Sequence, residues 1–535
     1  MQEWCPQTAA RPNIPMNVGI VLSMMFALLT TFERVDRVEA ARWFGQARQH
    51  FEKRQWEQSR AAAQKALESD PQLADAEILL GLIAKIQMRA QESERHFKRA
   101  VDLEPSNYQA YAYLAGLYLE QKRLGEAESG YEQVLKLKPG NSAALYNLGL
   151  IALLRNQPER ALQDFAKVYS DNPRDASALL GLLETQLLLK RNADARQSAH
   201  RIDELLTPDD PRLFQTATLL AMHQEYTSSI PILERLRKNA PGSFEVHFNL
   251  ALGYFRIGKN NQAAQVLRSL PSLGERAEGL NLLGQVEEKD RPQAALEAYS
   301  KAAALEPQNE QFCFDYANEL LQQSQTEKAA EVFRQGYSDF ARSWKMRVGL
   351  GAVQYLSGRY DESVQSLLEA VQIAPDASIT FFLLGKVYPL APSLQETIRK
   401  AFDRYLEQDR TDAWAYFHSA NILFLDAQSQ PQPDFTSVLR RLQRALELTP
   451  RFPEASLLLG IVFQAQGKLD QSVRVLEQVI AMSPEMASAH YRLAQVYQRL
   501  GAKEKAQAEF ATYERLKAGS KSEDEVRSIL QTIGR

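Results

Sequence analysis

The amino-acid sequence predicts an all-α solenoid, a row of stacked helical hairpins, and two regularities carry this prediction. A small residue returns along most of the chain at nearly constant spacing, and most steps are 34 residues. These small residues are Ala47, Gly81, Ala115, Gly149, Ala217, Ala251, Gly284, Ala317, Gly351 and Gly385. A large apolar residue such as Phe97, Phe165 or Phe333 follows 16 residues after most of them. A fixed period of this length is typical of stacked supersecondary units.

Within one period, the pattern indicates two helices joined by a turn. Tyr111, Leu114 and Tyr118 fall three or four residues apart, which places them on one face of a helix. After a short break, a second helical stripe contains Tyr131. Pro139 ends this second helix, because proline lacks the amide hydrogen and clashes with the preceding turn. Each period is therefore predicted to be a helical hairpin.

This arrangement resembles the tetratricopeptide repeat, whose pattern is W-x2-L-G-x2-Y, then A-x3-F, then P. The matching residues of one period are Tyr111, Leu114, Ala115, Tyr118, Ala127, Tyr131 and Pro139. The register places about fourteen such units between Ala40 and Ala518. The resemblance implies a right-handed superhelix of these hairpins, in a protein of the bacterial exported type.

Three places depart from the repeat pattern. Leu183 stands where a small residue is expected. Residues 389–409 lack clear landmarks, and about six residues are inserted around 428–434, in a stretch rich in Gln and Pro. The solenoid itself is assigned to residues 40–518.

Residues 1–36 are predicted to be a signal peptide or an N-terminal membrane anchor. Residues 18–29 are almost wholly apolar. This length suits the apolar part of a signal peptide better than a spanning helix of about 20 residues. A cleaved signal is the favoured interpretation, and an uncleaved anchor and a buried cap helix are the alternatives. We therefore expect an exported protein, periplasmic or extracytoplasmic, or alternatively one attached to the inner membrane through this segment.

Residues 519–535 are predicted to form a C-terminal capping helix. One helical face carries Val526, Ile529, Leu530 and Ile533. Glu523, Asp524 and Glu525 precede them, and acidic residues in a first turn favour the start of a helix. A solenoid needs such a helix to shield its last hairpin.

The composition gives no indication of a catalytic, metal or nucleic-acid site. The 63 basic and 66 acidic residues leave a formal charge of −3, so nucleic acid is not expected as a partner. The seven histidines are scattered over different repeats and only two cysteines occur, which leaves no metal-ligand cluster. No cofactor is expected, and the repeats leave no segment for a catalytic domain. The sequence therefore predicts a non-enzyme.

One stretch imitates a nucleotide-binding loop. Residues 253–260 have the spacing of a P-loop, but Asn260 replaces the Ser or Thr that binds magnesium. Gly258 lies seven residues after Ala251, as Gly358 does after Gly351. This glycine is therefore interpreted as the turn between paired helices.

In the repeats that this chain resembles, the first helix of each hairpin lines a concave groove. The residue three before each small position should point into this groove, and many of these residues are aromatic. The candidate partner-binding residues are Tyr146, Phe214, Phe248, Phe314, Phe382, Phe417 and Tyr491, with Asn318 and Asn421 beside them. Arg492 is a further groove position. Rigid aromatic side chains serve well as interface anchors. The alternative is that these rings pack sideways within the solenoid.

These observations predict a non-enzymatic scaffold that binds a polypeptide segment of another protein in the groove. One alternative is a membrane-anchored component of envelope or secretion machinery. Another is a groove that binds a small molecule or glycan as an accessory to an enzyme. Clustered polar groups that converge in one part of the groove would favour a small ligand. The partner itself is not identified by the sequence.

Overall fold

The computed structural model describes residues 37–408, 411–517 and 530. These residues contain α-helices and short 3-10 turns, with no strand in the described ranges. The predicted signal peptide or anchor at 1–36 lies outside the described residues. So does the predicted capping helix at 519–535, except for Leu530. No helix in the described part of the chain is both long enough and apolar enough to cross a membrane.

The chain divides into two units at Asn239. The helices of the first unit are α1 (37–52), α2 (Trp56–Ser69), α3 (Ala74–Ile86), α4 (Ala90–Leu103), α5 (Tyr108–Glu120), α6 (Leu124–Leu137), α7 (Ser142–Leu154), α8 (Pro158–Asp171), α9 (Ala176–Leu188), α10 (Asn192–Leu205), α11 (Pro211–Met222) and α12 (Tyr226–Asn239).

The helices of the second unit are α13 (Phe244–Arg256), α14 (Asn260–Arg268), α15 (Ala277–Glu287), α16 (Pro292–Leu305), α17 (Glu310–Gln322), α18 (Thr326–Asp339), α19 (Trp344–Leu356), α20 (Tyr360–Ile373), α21 (Ser378–Val387), α22 (Gln395–Leu406), α23 (Ala413–Gln428), α24 (Thr436–Leu448), α25 (Pro453–Ala465), α26 (Leu469–Met482), α27 (Ala487–Arg499) and α28 (Lys503–Lys517). Among the described residues, α1–α28 pair into 14 consecutive hairpins. The predicted solenoid of helical hairpins is confirmed.

The start of many first helices is fixed by a capping side chain. Asn107 Oδ1 accepts from the backbone N–H groups of Gln109 and Ala110 at 3.1 and 3.3 Å. Asn141 caps α7 in the same way. Such caps satisfy backbone donors that have no partner within the helix. The proline two residues before each of these caps keeps the preceding helix from continuing into the cap.

The turn inside each hairpin requires a left-handed backbone conformation. Gly258 has φ +77° and connects α13 to α14, as expected for a turn glycine and not for a phosphate-binding loop. Met88 and Lys122 occupy the equivalent position with φ of 58° and 59°. A residue with a Cβ adopts this conformation at an energetic cost. The turn therefore stores strain wherever glycine is absent.

Small and large side chains interlock within each hairpin. A Cβ built on Gly149 would lie 2.8 Å from the ring of Phe165, which is fully buried. Ser93 adds a polar tie, since its hydroxyl donates to the carbonyl of Gly81 at 2.8 Å. The equivalent bond joins Ser363 to Gly351 at 2.7 Å.

The departures from the pattern have local structural solutions. Leu183 is fully buried in α9, and the register position opposite it on α10 holds the small, buried Ala199. Large and small residues are thus exchanged between the two helices. The stretch without landmarks contains two 3-10 turns, Tyr388–Leu390 and Pro392–Leu394, before α22 begins.

Candidate functional site

The first helices of the second unit form one continuous surface. Consecutive first helices from α17 to α27 contact each other directly. Asn281 and Asp315 connect α15 to α17 through a hydrogen bond. Side chains from several repeats can therefore meet on these helices, and we call this set, α15 to α27 in odd steps, the first-helix surface.

The predicted aromatic groove residues differ in exposure. Phe314 and Phe382 are buried, with exposed fractions of 0% and 4%. Tyr146, Phe214, Phe248, Phe417 and Tyr491 are half-buried, as is Asn421, while Asn318 is buried. The prediction that these side chains bind a partner stays a prediction. The burial of Phe314 and Phe382 fits the alternative that they pack within the solenoid.

Several of these rings contact the large apolar residue of their own hairpin. The ring centroids of Phe314 and Phe333 lie 5.7 Å apart in an edge-to-face arrangement. Tyr146 meets Phe165 at 5.5 Å in the same geometry. Each pair is separated by 19 residues, so the contact repeats with the fold. Aromatic pairs in this geometry stabilise the core beyond the area they bury.

The structure brings Phe382 and Phe417 together in an aromatic cluster. Trp414 lies 5.4 Å from Phe382 and 5.8 Å from Phe417, measured between ring centroids. Phe452 of the next hairpin lies 4.6 Å from Trp414. Trp414 remains 36% exposed. The cluster of Phe382, Trp414, Phe417, His418 and Phe452 therefore presents one large aromatic surface to a ligand.

His418 contributes to this cluster as a neutral ring. Its imidazole lies 5.2 Å from Phe382 and stacks on Trp414 at 5.8 Å. Burial lowers the pKa of His418 to about 3, because water no longer solvates the charged form. Its Nε2 atom is buried without a hydrogen-bond partner. His418 is therefore uncharged at neutral pH and extends the apolar wall.

A polar seam crosses α15, α17 and α19. Asn281 Nδ2 donates to Asp315 Oδ2 at 2.9 Å, and Gln311 Nε2 donates to Asp315 Oδ1 at 2.8 Å. Lys345 Nζ extends the seam by donating to Gln311 Oε1 at 3.1 Å. Burial raises the pKa of Asp315 to about 6 and that of Glu319 to about 7. These carboxyl groups are held in place by amide donors, which stabilise the charged form against desolvation.

A cavity of about 400 Å³ lies at the other end of the first-helix surface. Its lining residues are Gln428, Ile461, Gln464, Ala465, Arg492, Gln495, Gln498 and Arg499. The lining contains no carboxylate, and neither Arg492 nor Arg499 forms an ion pair within the described ranges. Arg499 donates to the Gln464 carbonyl at 3.4 Å, and Arg492 to Gln495 Oε1 at 3.2 Å. Guanidinium and amide donors suit a carboxylate or another anionic acceptor.

A larger cavity of about 650 Å³ lies beside α22, α23 and α24, and its arginines are already paired. Arg441 meets Asp403 at 3.4 Å, and Arg444 meets Glu447 at 3.4 Å. Within the part of the chain that the structure describes, no group of His, Cys, Asp and Glu side chains could hold a metal ion. The cavity beside α27 is therefore the better candidate for binding an anion.

The sequence identified only part of this surface. Arg492 was expected in the groove, but Arg499 and Gln464 were missed, because the cavity forms where α23, α25 and α27 converge. The contact between Asn281 and Asp315 was also missed. Their separation of 34 residues was the available signal, since it places both side chains at nearly the same height on successive first helices.

Models of the tetratricopeptide repeat match four segments of this helical array, residues 87–148, 146–209, 314–378 and 457–521. The chain is a tetratricopeptide repeat protein. The matched segments include α5–α6, α17–α18 and α27–α28, so the repeat extends through both units. The cavity lined by Arg492 and Arg499 lies partly within the last matched segment.

Tetratricopeptide repeat relatives of this chain include large proteins. Protein O-mannosyl-transferase TMTC1 of Homo sapiens is 26% identical over 215 residues, which cover 38% of this chain and 23% of the relative. Anaphase-promoting complex subunit 3 of Schizosaccharomyces pombe is 24% identical over 185 residues, which cover 34% of this chain and 26% of that subunit. The match therefore spans about a quarter of either relative. Among solved structures, yeast Tom70 aligns with a TM-score of 0.38 and 15% identity over 81% of this chain and 96% of its own.

Proposed function

We propose that this protein is a non-enzymatic scaffold that binds a segment of another protein on the first-helix surface of its second unit. The observation that carries the proposal is the cavity in which Arg492 and Arg499 lack carboxylate partners among the described residues. A polypeptide with acidic side chains would supply the missing acceptors.

The aromatic cluster supports a polypeptide ligand over a smaller one. Trp414 is 36% exposed and backed by buried Phe382 and His418. An exposed ring on a rigid support is the type of residue that dominates protein interfaces. Ile461, which lines the cavity, also packs against the apolar cluster that contains Phe382. An extended or helical segment could therefore place an acidic and an apolar side chain on one surface.

The relatives are consistent with a role in assembly. One relative is named as a subunit of the anaphase-promoting complex, a multiprotein assembly. The relative named as a transferase matches over only 23% of its own length, so its activity is not transferred to this chain. We propose binding, and no reaction, as the function of the matched region.

A peptide-binding experiment tests the proposal. A random dodecamer library is selected on the purified full chain, and the selected peptides are measured by fluorescence anisotropy. We expect peptides with Asp or Glu together with a large apolar residue. The double variant Arg492→Gln/Arg499→Gln should weaken their binding at least tenfold, because it removes both guanidinium groups. The matched control is Arg474→Gln, which removes an exposed arginine from α26.

Two outcomes would contradict the proposal. Selected peptides could bind the double variant and the unchanged chain equally, which would remove the cavity from the binding site. Citrate could displace the peptides and bind tightly by itself, which would favour the alternative of a small-molecule site.

A further inference from the structure

Leu530 occupies an unexpected place in the second unit. It is fully buried and helical. It belongs to the apolar cluster that extends from Leu296 to Val462 and includes Phe382 and Tyr416. Because α28 ends at Lys517, the chain returns from its last hairpin to earlier repeats before it reaches Leu530.

This position differs from that expected of a cap on the last hairpin. The last two hairpins have an apolar cluster of their own, with Leu476, Leu493 and Tyr497, and Leu530 does not belong to it. Thirteen residues separate Lys517 from Leu530. They span about 20 Å as a helix and about 45 Å when extended. Since neighbouring helices pack at about 8–10 Å, this length reaches at least two helices back.

The surface between α28 and the apolar cluster contains the cavity of the candidate site. α28 packs on α27, and α27 carries Arg492 and Arg499. Ile461 of α25 lines the same cavity and also packs against the cluster that holds Leu530. The chain that precedes Leu530 contains the acidic run Glu523–Glu525. Its charge is opposite to that of the two arginines, which have no ion pair within the described residues.

We propose that residues 519–535 bind to the first-helix surface of their own chain, with Leu530 as the apolar anchor and the acidic run as the partner of Arg492 and Arg499. This inference rests on the proposed function and deepens it. The segment occupies in cis the surface offered to another protein. The partner class that fits is a polypeptide with an acidic run followed, five to seven residues later, by a large apolar residue.

The test compares the full chain with its Leu530→Asp variant, and the probe is a fluorescein-labelled peptide of residues 519–535. A charged side chain cannot stay in the apolar cluster, so the variant should release the segment. We expect the variant to bind the probe at least tenfold more tightly than the unchanged chain, whose surface is occupied. A probe that carries the same substitution should bind neither protein. Leu305→Asp, at a leucine 45% exposed on α16, is the matched control and should behave as the unchanged chain.

A second variant keeps the inference testable if Leu530→Asp perturbs folding. Changing Glu523→Gln, Asp524→Asn and Glu525→Gln together leaves every apolar contact in place and should also raise probe binding. Adding Arg492→Gln/Arg499→Gln to Leu530→Asp should abolish the gain.

Two results would overturn the inference. Both releasing variants could bind the probe no better than the unchanged chain, or the gain could persist without the two arginines. Library peptides distinguish this failure from that of the proposed function. If they bind the unchanged chain and Leu530→Asp equally well, only the occupation in cis is wrong. If they bind neither, the proposed function fails as well.

Discussion

Asn281 donates a hydrogen bond of 2.9 Å to Asp315, a residue 34 positions later, so one period of the sequence becomes one contact in space. The bond links α15 to α17 and holds a buried carboxyl group against the second repeat of the pair. Asp315 has an exposed fraction of only 7%. The energetics of this site therefore depend on whether the carboxyl group is charged.

Replacing Asp315 with Asn should stabilise the protein at pH 7. Burial raises the pKa of Asp315 to about 6 from a usual value of 3.8, so between these values the folded chain binds more protons than the unfolded chain. Stability from this group therefore falls as the pH rises from about 4 to about 6. Asp315→Asn should remove this dependence and gain about 1–2 kcal/mol at pH 7. Thermal unfolding between pH 4 and 8 measures it, with the exposed Asp290→Asn as control.

Two glycine-to-alanine changes should shift stability in opposite directions. Gly149→Ala places a methyl group 2.8 Å from the buried ring of Phe165, so it should cost about 1–3 kcal/mol. Gly45→Ala lies in helix α1 with no atom within 4 Å of the new Cβ, so it should gain about 0.5–1 kcal/mol. Urea unfolding of the two variants measures both effects. Equal effects of the same sign would contradict the interlocking of small and large residues.

The hairpin turns allow a similar comparison. Gly258 has φ +77°, so Gly258→Ala should lower stability by about 1–2 kcal/mol. Met88 holds the equivalent position at φ 58° and is 90% exposed, so little packing is lost when it is replaced. Met88→Gly should relieve the strain and raise stability by up to about 1 kcal/mol, after the entropy of glycine is counted. A melting temperature that falls in the second variant would show that the turn is not strained.

Phe314→Ala should reduce stability far more than peptide binding. The ring is fully buried against Phe333, and core Phe→Ala changes cost about 3–5 kcal/mol. The half-buried Phe417 is the informative comparison, since it lies at the same register position beside Trp414. Calorimetry and anisotropy on both variants separate the two roles. Unchanged stability with lost binding in Phe314→Ala would instead place that ring in the binding surface.

The repeat period alone predicted the hairpins, the turn position and the pairs of small and large residues. These features depend on contacts within a hairpin, which recur with the period. The exposure of the aromatic groove residues could not be predicted in this way. Phe314 and Phe417 share a register position, but their burial depends on residues from neighbouring hairpins, such as Trp414 and Phe452. The cavity of Arg492 and Arg499 likewise needs three first helices to converge.

The exchanged pair Leu183 and Ala199 defines how this chain could recombine with other repeat arrays. Moving α9 alone into another hairpin would set its leucine against a second large side chain and crowd the interior. Moving α10 alone would face a small residue with another small one and leave a void. Only α9 and α10 transferred together keep complementary volumes, so the whole hairpin is the smallest portable piece of this protein.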